Sequence, residues 1–185
     1  MPINVAKKVN RIGMVARWRP VHVGHARILT ALCRHTQEAL IGIGSANRYN
    51  VRNPFTLDET TAMLSLTLTE HPNHRLIPVP DLDDGPRWRL MILDLFGDLD
   101  IFVTANPYVA HLLSDDYQVI HPASLLSDDE KIPLDGTMVR RAMARGEDWQ
   151  SMVPPVIANY LVSTGLDARF RREFGLQTLA METNR

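Results

Sequence analysis

Five short apolar runs, separated by stretches with a helical pattern, constrain the fold of this chain more than any other feature. Each run has the length of a strand and is rich in aliphatic or β-branched residues. The runs are Arg11–Ala16, Ala39–Gly44, Arg75–Val79, Asp100–Thr104 and Tyr117–His121. The apolar character of ALIGIG and DIFVT is nearly continuous, which is typical of parallel strands covered on both faces.

Helix signals fill the intervals between these runs. Apolar residues at positions 28, 29, 32 and 33 form a stripe, and Thr56 and Glu59 fit a capping box that opens a helix to about Thr69. Further helices are expected over Trp88–Leu95, over Pro107–Leu113, over Thr137–Arg145 with Gly146 as terminator, and from VIANYL onward. The alternation predicts an α/β fold with an open doubly wound parallel sheet, Rossmann-like and of about five strands.

A length of 185 residues suits one domain. We therefore expect a single domain over residues 1–185. Its α/β core would extend over about residues 11–145, and a helical C-terminal region over about residues 146–185.

Composition excludes several function classes. The net charge of −1 does not suit a nucleic-acid binder, and Arg169, Arg171 and Arg172 in the tail are expected on a solvated helix face or a subunit contact. Cys33 is the only cysteine, so no internal disulfide can form. The first residues, MPINVAKKVN, lack the apolar core of a signal peptide, and no apolar run approaches the ~20 residues of a membrane span. We expect a cytoplasmic protein without nucleic-acid or membrane partners.

The stretch RWRPVHVGHARIL follows the first predicted strand and holds two histidines three residues apart. In an open α/β sheet, ligands bind at the carboxyl ends of the strands, where His22 and His25 would lie. Gly24 permits a close approach of the backbone to a ligand, and the next helix offers unpaired N–H groups. With Arg17, Arg19 and Arg27 nearby, the pattern favours a phosphate site. Capping or surface histidines and a zinc site remain alternatives, although no nearby cysteine or carboxylate completes a zinc set.

RPVHVGH resembles the HxGH signature of the nucleotidylyltransferase superfamily, and the whole stretch from GMVARW resembles its GxFxPxHxGH form. Further segments are similar to archaeal-type nicotinamide-nucleotide adenylyltransferases: IGIGSANRYNVRNPFTLDE, IPVPD with the tryptophan that follows, TANP, and GTMVRRAMARGEDWQSMVP. The resemblance extends over about residues 11–160.

The resemblance implies a transfer of the adenylyl group of ATP to a mononucleotide, with release of pyrophosphate. A phosphate oxygen is the nucleophile, so the site must supply positioning and charge neutralisation. By resemblance, His22 and His25 donate to the triphosphate and Arg140 binds its β- and γ-phosphates. Gly136 and Thr137 present backbone N–H groups, and Arg17 meets phosphate. Mg²⁺ would bridge the ATP phosphates with few protein ligands, so no metal-ligating residues are assigned.

The same resemblance assigns the acceptor site. Trp88 would stack on the pyridine ring of nicotinamide mononucleotide (NMN), and Arg52 would hold its phosphate. Asp81 would accept from the carboxamide and repel the carboxylate of the nicotinate analogue. Asn106 would lie near the adenine or the ribose. The superfamily also implies a homo-oligomer.

Four positions depart from the family pattern. Ala16 replaces a glycine, Arg19 a residue that is commonly glutamine, Asp135 a small hydroxyl residue, and Gly85 an asparagine near the acceptor. Asp135 would face the triphosphate unless it caps the following helix. Two alternatives follow: a transferase for nicotinate mononucleotide or another phosphate-bearing acceptor, with ATP or CTP, and a non-catalytic nucleotide sensor.

Overall fold

Parallel pairing joins the five predicted strands into one sheet in the computed structural model, which describes residues 8–181. The strands are β1 (Val9–Ala16), β2 (Thr36–Gly44), β3 (His74–Val79), β4 (Ile101–Val103) and β5 (Val119–Ile120). Their order is β3-β2-β1-β4-β5, and every pair is parallel. The order reverses at β1, so the carboxyl end of β1 is the switch point where open α/β sheets bind ligands.

The helices follow the predicted pattern. They are α1 (Val23–His35), α2 (Leu57–Thr67), α3 (Gly85–Phe96), α4 (Pro107–Leu113), α5 (Gly136–Arg145), α6 (Pro155–Ser163), α7 (Leu166–Phe170) and α8 (Leu176–Ala180). A π-helical turn, Arg171–Gly175, joins α7 to α8, and short 3₁₀ turns occur at Pro122–Leu125, Asp128–Glu130 and Gln150–Met152. The predicted α/β fold class is confirmed. No helix within residues 8–181 is long and apolar enough to cross a membrane.

Local capping explains where the helices begin and end. The predicted capping box is present: Thr56 Oγ1 accepts from the Glu59 N–H, and Glu59 Oε2 accepts from the Thr56 N–H. Gly146 ends α5 with a left-handed φ of 71°, which glycine adopts without strain. Helix α3 begins at Gly85, three residues before the predicted start, because Asp84 Oδ1 accepts from the Arg87 N–H and caps it there.

The described residues divide into two compact units. The first comprises the residues from 8 to Arg17, Arg27–Asn47 and Glu70–Lys131, and it contains the whole sheet with α3 and α4. Its core includes Leu40, Val79, Ile92, Phe96 and Phe102, all essentially buried. The second comprises Trp18–Ala26, Arg48–Thr69 and the residues from Ile132 to 181, with α2 and α5–α8. The single-domain interpretation stays a prediction, and α5 belongs to the same unit as the C-terminal helices.

Candidate active site

The segment Trp18–Ala26 leads from the switch point into α1 and carries both predicted histidines. Trp18 is fully buried, and its φ of 57° is left-handed. A non-glycine residue in this conformation costs about 1–3 kcal/mol and persists where the surroundings fix it. The segment is therefore held in one shape, which is a requirement for a preorganised site.

His22 and His25 form a stacked pair at the start of α1. Their ring centroids lie 3.6 Å apart at an interplanar angle of 23°. His22 is only 3% exposed, and its Nδ1 accepts a hydrogen bond from the His25 backbone N–H at 3.2 Å. Since Nδ1 accepts, a neutral His22 carries its proton on Nε2. The backbone of α1 thereby leaves His22 with one N–H donor, at Nε2.

Both imidazoles are neutral at pH 7. Burial lowers the pKa of His22 to about 4, against the opposing effect of the Asp135 carboxylate and with the help of the Arg140 charge. Burial, assisted by His22, also lowers the pKa of His25 well below its ordinary value. A neutral His22 can donate from Nε2 to an anion without adding positive charge to the buried site.

His25 is held from the other side by Trp18, whose ring meets it edge-on at a centroid distance of 4.9 Å. Among the described residues, its buried Nδ1 makes no hydrogen bond of ordinary geometry. A buried polar atom in that state is costly unless a ligand or water pairs with it. The Pro20 backbone is the polar neighbour of the His25 ring, and it raises the His25 pKa against the effect of burial.

Gly24 has no room for a side chain. A Cβ at this position would lie 3.1 and 3.2 Å from the Nδ1 and Cε1 atoms of His22 and 3.6 Å from the Leu134 carbonyl oxygen. A side chain at position 24 would therefore shift the His22 ring by a few tenths of an ångström. The close approach of a ligand at Gly24 stays a prediction.

Arg140 in α5 lies close enough to His22 and His25 for its charge to act on both rings. Its Nη1 donates to the Arg19 carbonyl at 2.9 Å, and its Nη2 donates to Thr137 Oγ1 at 3.3 Å. Its charge lowers the pKa of both histidines. The structure therefore brings together the three residues predicted to be catalytic, hereafter the histidine–arginine cluster (His22, His25 and Arg140).

The start of α5 differs from the sequence interpretation in one respect. Asp135 caps the helix, and its Oδ1 accepts from the N–H groups of Thr137 at 2.7 Å and Met138 at 2.9 Å. The Thr137 N–H is therefore already paired, whereas it was expected to face phosphate. A Cβ at Gly136 would lie 3.1 Å from Arg140 Nη1, so a side chain there would press on the Arg140 guanidinium.

Stability is expected to depend on pH through His22. Between pH 7 and pH 5, the unfolded chain binds a proton at an ordinary histidine pKa near 6.5, whereas folded His22 does not. The stabilisation is present above pH 6.5 and is lost as the pH falls toward 4, by about 2 kcal/mol between pH 7 and pH 5. Urea unfolding of the protein and of His22→Gln at both pH values measures it. An equal pH dependence in the two proteins would contradict the assignment.

Arg19 has a larger role than its sequence suggested. It is only 2% exposed, and its Nε donates to Thr60 Oγ1 at 3.1 Å in α2. Its Nη1 also donates to the Arg48 carbonyl at 3.5 Å. Arg19 therefore links the segment that carries the histidines to α2 and to the loop before it. Arg19 lies between a tryptophan and a proline, and no periodic pattern in that stretch predicts that its side chain is buried.

The remaining predicted residues of the first unit lie after the ends of its strands. Arg17 is exposed directly after β1. Asp81 follows β3, and Asn47 holds its backbone through two hydrogen bonds, from Asn47 Nδ2 to the Asp81 carbonyl at 3.0 Å and from the Asp81 N–H to Asn47 Oδ1 at 2.8 Å. Trp88 in α3 is half-buried and packs against the core, so part of its role is structural.

Asn106 is the N-cap of α4. Its Oδ1 accepts from the N–H groups of Tyr108 at 2.9 Å and Val109 at 3.4 Å. It also lines an open cavity of about 450 Å³ with residues that follow β4 and β5, among them Thr104 and His121. The cavity is large enough for a nucleobase, and Asn106 borders it.

Gly85 lies against the Tyr108 side chain of the first unit. A Cβ at this position would overlap the Tyr108 hydroxyl oxygen, which is the end of a side chain that is 60% exposed. A side chain at position 85 would require Tyr108 on α4 to move, a relation that the sequence alone did not reveal.

Arg52 is exposed in a tight turn of the second unit, where its N–H donates to Asn50 Oδ1 at 3.0 Å. Arg169 corrects the interpretation of the tail. Its side chain is only 21% exposed and pairs with Glu59, instead of lying on a solvated face. Arg171 and Arg172 are exposed as expected.

Within residues 8–181, no group of three or more histidine, cysteine, aspartate or glutamate side chains could hold a metal ion. The donors of the histidine–arginine cluster suit anions instead. A divalent ion that accompanies a nucleotide would take most of its ligands from phosphate oxygens and water, which is the coordination that Mg²⁺ favours.

Sequence comparisons identify relatives over most of the chain. The cytidylyltransferase-like family model matches residues 15–83. The nicotinamide-nucleotide adenylyltransferase of Thermococcus kodakarensis is 33% identical over 159 residues, which cover 83% of this chain and 82% of that protein. The enzyme of the same name from Methanococcus vannielii is 30% identical, over 88% of this chain and 94% of that protein.

Solved structures share the fold. A bifunctional NMN adenylyltransferase/ADP ribose pyrophosphatase of Francisella tularensis, complexed with AMP and a manganese ion, matches with a TM-score of 0.73 at 15% identity. The match covers 96% of this chain, which spans about half (55%) of the Francisella chain. A putative nicotinate-nucleotide adenylyltransferase of Vibrio parahaemolyticus matches with a TM-score of 0.60 at 15% identity, over 88% of this chain and 96% of that one.

Proposed function

Because the chain belongs to the nicotinamide-nucleotide adenylyltransferase family, we propose that it joins NMN to the AMP moiety of ATP. An oxygen of the NMN phosphate attacks the α-phosphorus of ATP, the bond to the β-phosphate oxygen breaks, and NAD and pyrophosphate form. The transfer is a direct in-line displacement without a covalent enzyme intermediate. The observation that carries the proposal is the histidine–arginine cluster, in which two neutral imidazoles lie beside a guanidinium.

His22 acts at the α-phosphate. Its Nδ1 is engaged by the backbone, so Nε2–H is the group that donates to a non-bridging oxygen of the transferring phosphoryl group. The NMN phosphate is already ionised at pH 7, so no general base is required. A donor held in place before the reaction stabilises the charge of the transition state without reorganisation. His25 supports His22 by ring stacking and donates to the same triphosphate.

Arg140 binds the β- and γ-phosphates. A guanidinium has five N–H donors, so Arg140 can keep its bonds to the Arg19 carbonyl and Thr137 and still donate to phosphate oxygens. Arg17 adds positive charge for the triphosphate, and Asn106 contacts the adenosine moiety. ATP acts as its Mg²⁺ complex, in which the ion neutralises phosphate charge.

The acceptor site distinguishes the carboxamide of NMN from the carboxylate of nicotinate mononucleotide. Asp81, whose backbone is held by Asn47, accepts from the carboxamide NH₂ of NMN and repels the carboxylate of nicotinate mononucleotide. Trp88 stacks on the cationic pyridine ring, an attraction of roughly 0.5–2 kcal/mol. Arg52 holds the NMN phosphate.

Pyrophosphate release by the purified protein with Mg²⁺-ATP tests this function. We expect release with NMN, and a kcat/KM for nicotinate mononucleotide that is lower by roughly tenfold or more because of the Asp81 charge. In Asp81→Asn, the difference in kcat/KM between NMN and nicotinate mononucleotide should become smaller. Asp83→Asn is the matched control, in which that difference should stay the same.

Two results would contradict the proposal. Release with nicotinate mononucleotide or another acceptor but none with NMN would support the alternative that the Tyr108 hydroxyl against Gly85 suggests, a site shaped for a different acceptor. Nucleotide binding without release under any condition would support a sensor. Asp135 is the departure that such a result would implicate, because its carboxylate caps α5 and also raises the pKa of His22 against the effect of burial.

A further inference from the structure

One arginine of the C-terminal helices holds both ends of the loop that carries Arg52. This loop, residues 48–55 and hereafter the Arg52 loop, lies between β2 and α2. At its C-terminal end, Arg169 Nη2 donates to the Pro54 carbonyl at 3.1 Å. At its N-terminal end, the Arg169 guanidinium lies 5.7 Å from the centroid of the Tyr49 ring. Along the chain, these two contacts lie on either side of Arg52.

The anchor of Arg169 is Glu59 in the first turn of α2. The two side chains pair through both guanidinium Nη atoms, with Nη2 to Oε2 at 2.7 Å, and they are only 21% and 17% exposed. Glu59 Oε2 also accepts from the Thr56 N–H at 2.9 Å. Burial alone would raise the pKa of Glu59, but the bonds from Arg169 and Thr56 outweigh it and lower that pKa. The pair thus remains charged at neutral pH.

The π-helical turn Arg171–Gly175 provides two further contacts to Tyr49. The Tyr49 hydroxyl donates to Glu173 Oε2 at 2.5 Å, and its ring meets the Phe174 ring edge-on at a centroid distance of 5.2 Å. Such π-helical turns occur frequently at functional sites. Here the turn presents two consecutive side chains to one tyrosine of the Arg52 loop.

Between its two ends, the Arg52 loop is organised by Asn50. Its Oδ1 accepts from the N–H groups of Arg52 at 3.0 Å and Asn53 at 3.1 Å, and from Asn53 Nδ2 at 3.1 Å. The backbone of Arg52 is therefore held, while its side chain is exposed. An exposed cation on a held backbone is suited to bind an anion from solution.

We propose that Arg169 is a positioning residue for the acceptor phosphate: it holds the Arg52 loop at both ends, so that Arg52 binds the phosphate of NMN. The inference rests on the proposed function, since it requires Arg52 to meet that phosphate. Lysine cannot replace Arg169 in this role, because one ammonium cannot pair with both Glu59 oxygens and also reach the Pro54 carbonyl. The C-terminal helices thereby support the Arg52 loop without touching the substrate.

Steady-state kinetics of Arg169→Lys test the proposal. We expect KM for NMN to rise roughly tenfold, while kcat at saturating NMN and KM for ATP stay within about twofold. Arg171→Lys is the matched control, because Arg171 lies two residues away and pairs with Asp167 in α7 instead of with Glu59. A second variant, Tyr49→Phe, removes only the bond to Glu173 and should raise KM for NMN by a smaller factor. Near-ultraviolet circular dichroism verifies that each variant is folded.

A double variant separates positioning from a general structural effect. In an Arg52→Ala background, Arg169→Lys should produce no further rise in KM for NMN, because the residue it positions is gone. A further tenfold rise there, an unchanged KM for NMN in folded Arg169→Lys, or an equal rise in KM for ATP would each overturn the proposal. Failure of the proposed function is distinct from these results, because the unaltered protein would then release no pyrophosphate with NMN.

Discussion

Replacing His22 with alanine is expected to lower kcat for pyrophosphate release about 10²–10³-fold. The substitution removes the Nε2–H donor that the His25 backbone N–H selects by occupying Nδ1. Since this hydrogen bond strengthens in the transition state, kcat and kcat/KM should fall by similar factors, with a much smaller change in KM for ATP. Initial-rate measurements with varied ATP and saturating NMN give both constants.

His35→Ala is the control for the His22 prediction. His35 is the last residue of α1, the helix that begins beside His22. Its replacement changes the same residue type on the same element and should leave kcat within about twofold. A folded His22→Ala protein whose kcat is within threefold of the unaltered protein would remove His22 from the catalytic machinery.

Replacing Arg140 with lysine is expected to lower kcat/KM for ATP about 100-fold. The guanidinium is oriented by the Arg19 carbonyl and by Thr137 Oγ1, and a lysine ammonium cannot satisfy both and still bind two phosphate groups. Because lysine preserves the positive charge, the loss of kcat/KM for ATP measures what the geometry of the guanidinium contributes. KM for NMN should change little, because the acceptor phosphate is assigned to Arg52.

Arg145→Lys provides the comparison for Arg140→Lys. Arg145 lies in the last turn of α5, where it pairs with Glu147 at 3.6 Å. The same substitution there should leave both KM values and kcat unchanged within about twofold. If Arg140→Lys behaves like Arg145→Lys, the triphosphate is bound by other groups.

The comparison between sequence and structure is clearest at the helix termini. The capping box of Thr56 and Glu59, the termination of α5 at Gly146 and the capping role of Asp135 all depend on residues within four positions of each other. Interactions of such short range are visible in the sequence, because the helix geometry itself brings the partners together.

Arg169 and Arg19 show what such reasoning misses. Arg169 lies 110 positions from Glu59 in the chain, and nothing in its neighbourhood distinguishes it from the exposed Arg171 and Arg172. The sequence placed Arg19 among the cations of a phosphate site and marked it as a departure from the family pattern, yet it is buried and bonds to Thr60, 41 positions away. Both are charged residues whose partners are supplied by distant segments, so periodicity predicts exposure and tertiary packing decides otherwise.

The sequence by itself determined the alternation of strands and helices and the parallel sheet, because these depend on local periodicity. The residues of the phosphate site, taken from a short motif at a strand end, stay a prediction. Only the tertiary structure decided that His22 is neutral with its proton on Nε2, that Arg140 meets the Arg19 carbonyl, and that the Arg52 loop is held by Arg169. Protonation depends on burial and on the charges nearby, and those are set by segments that meet only when the chain folds.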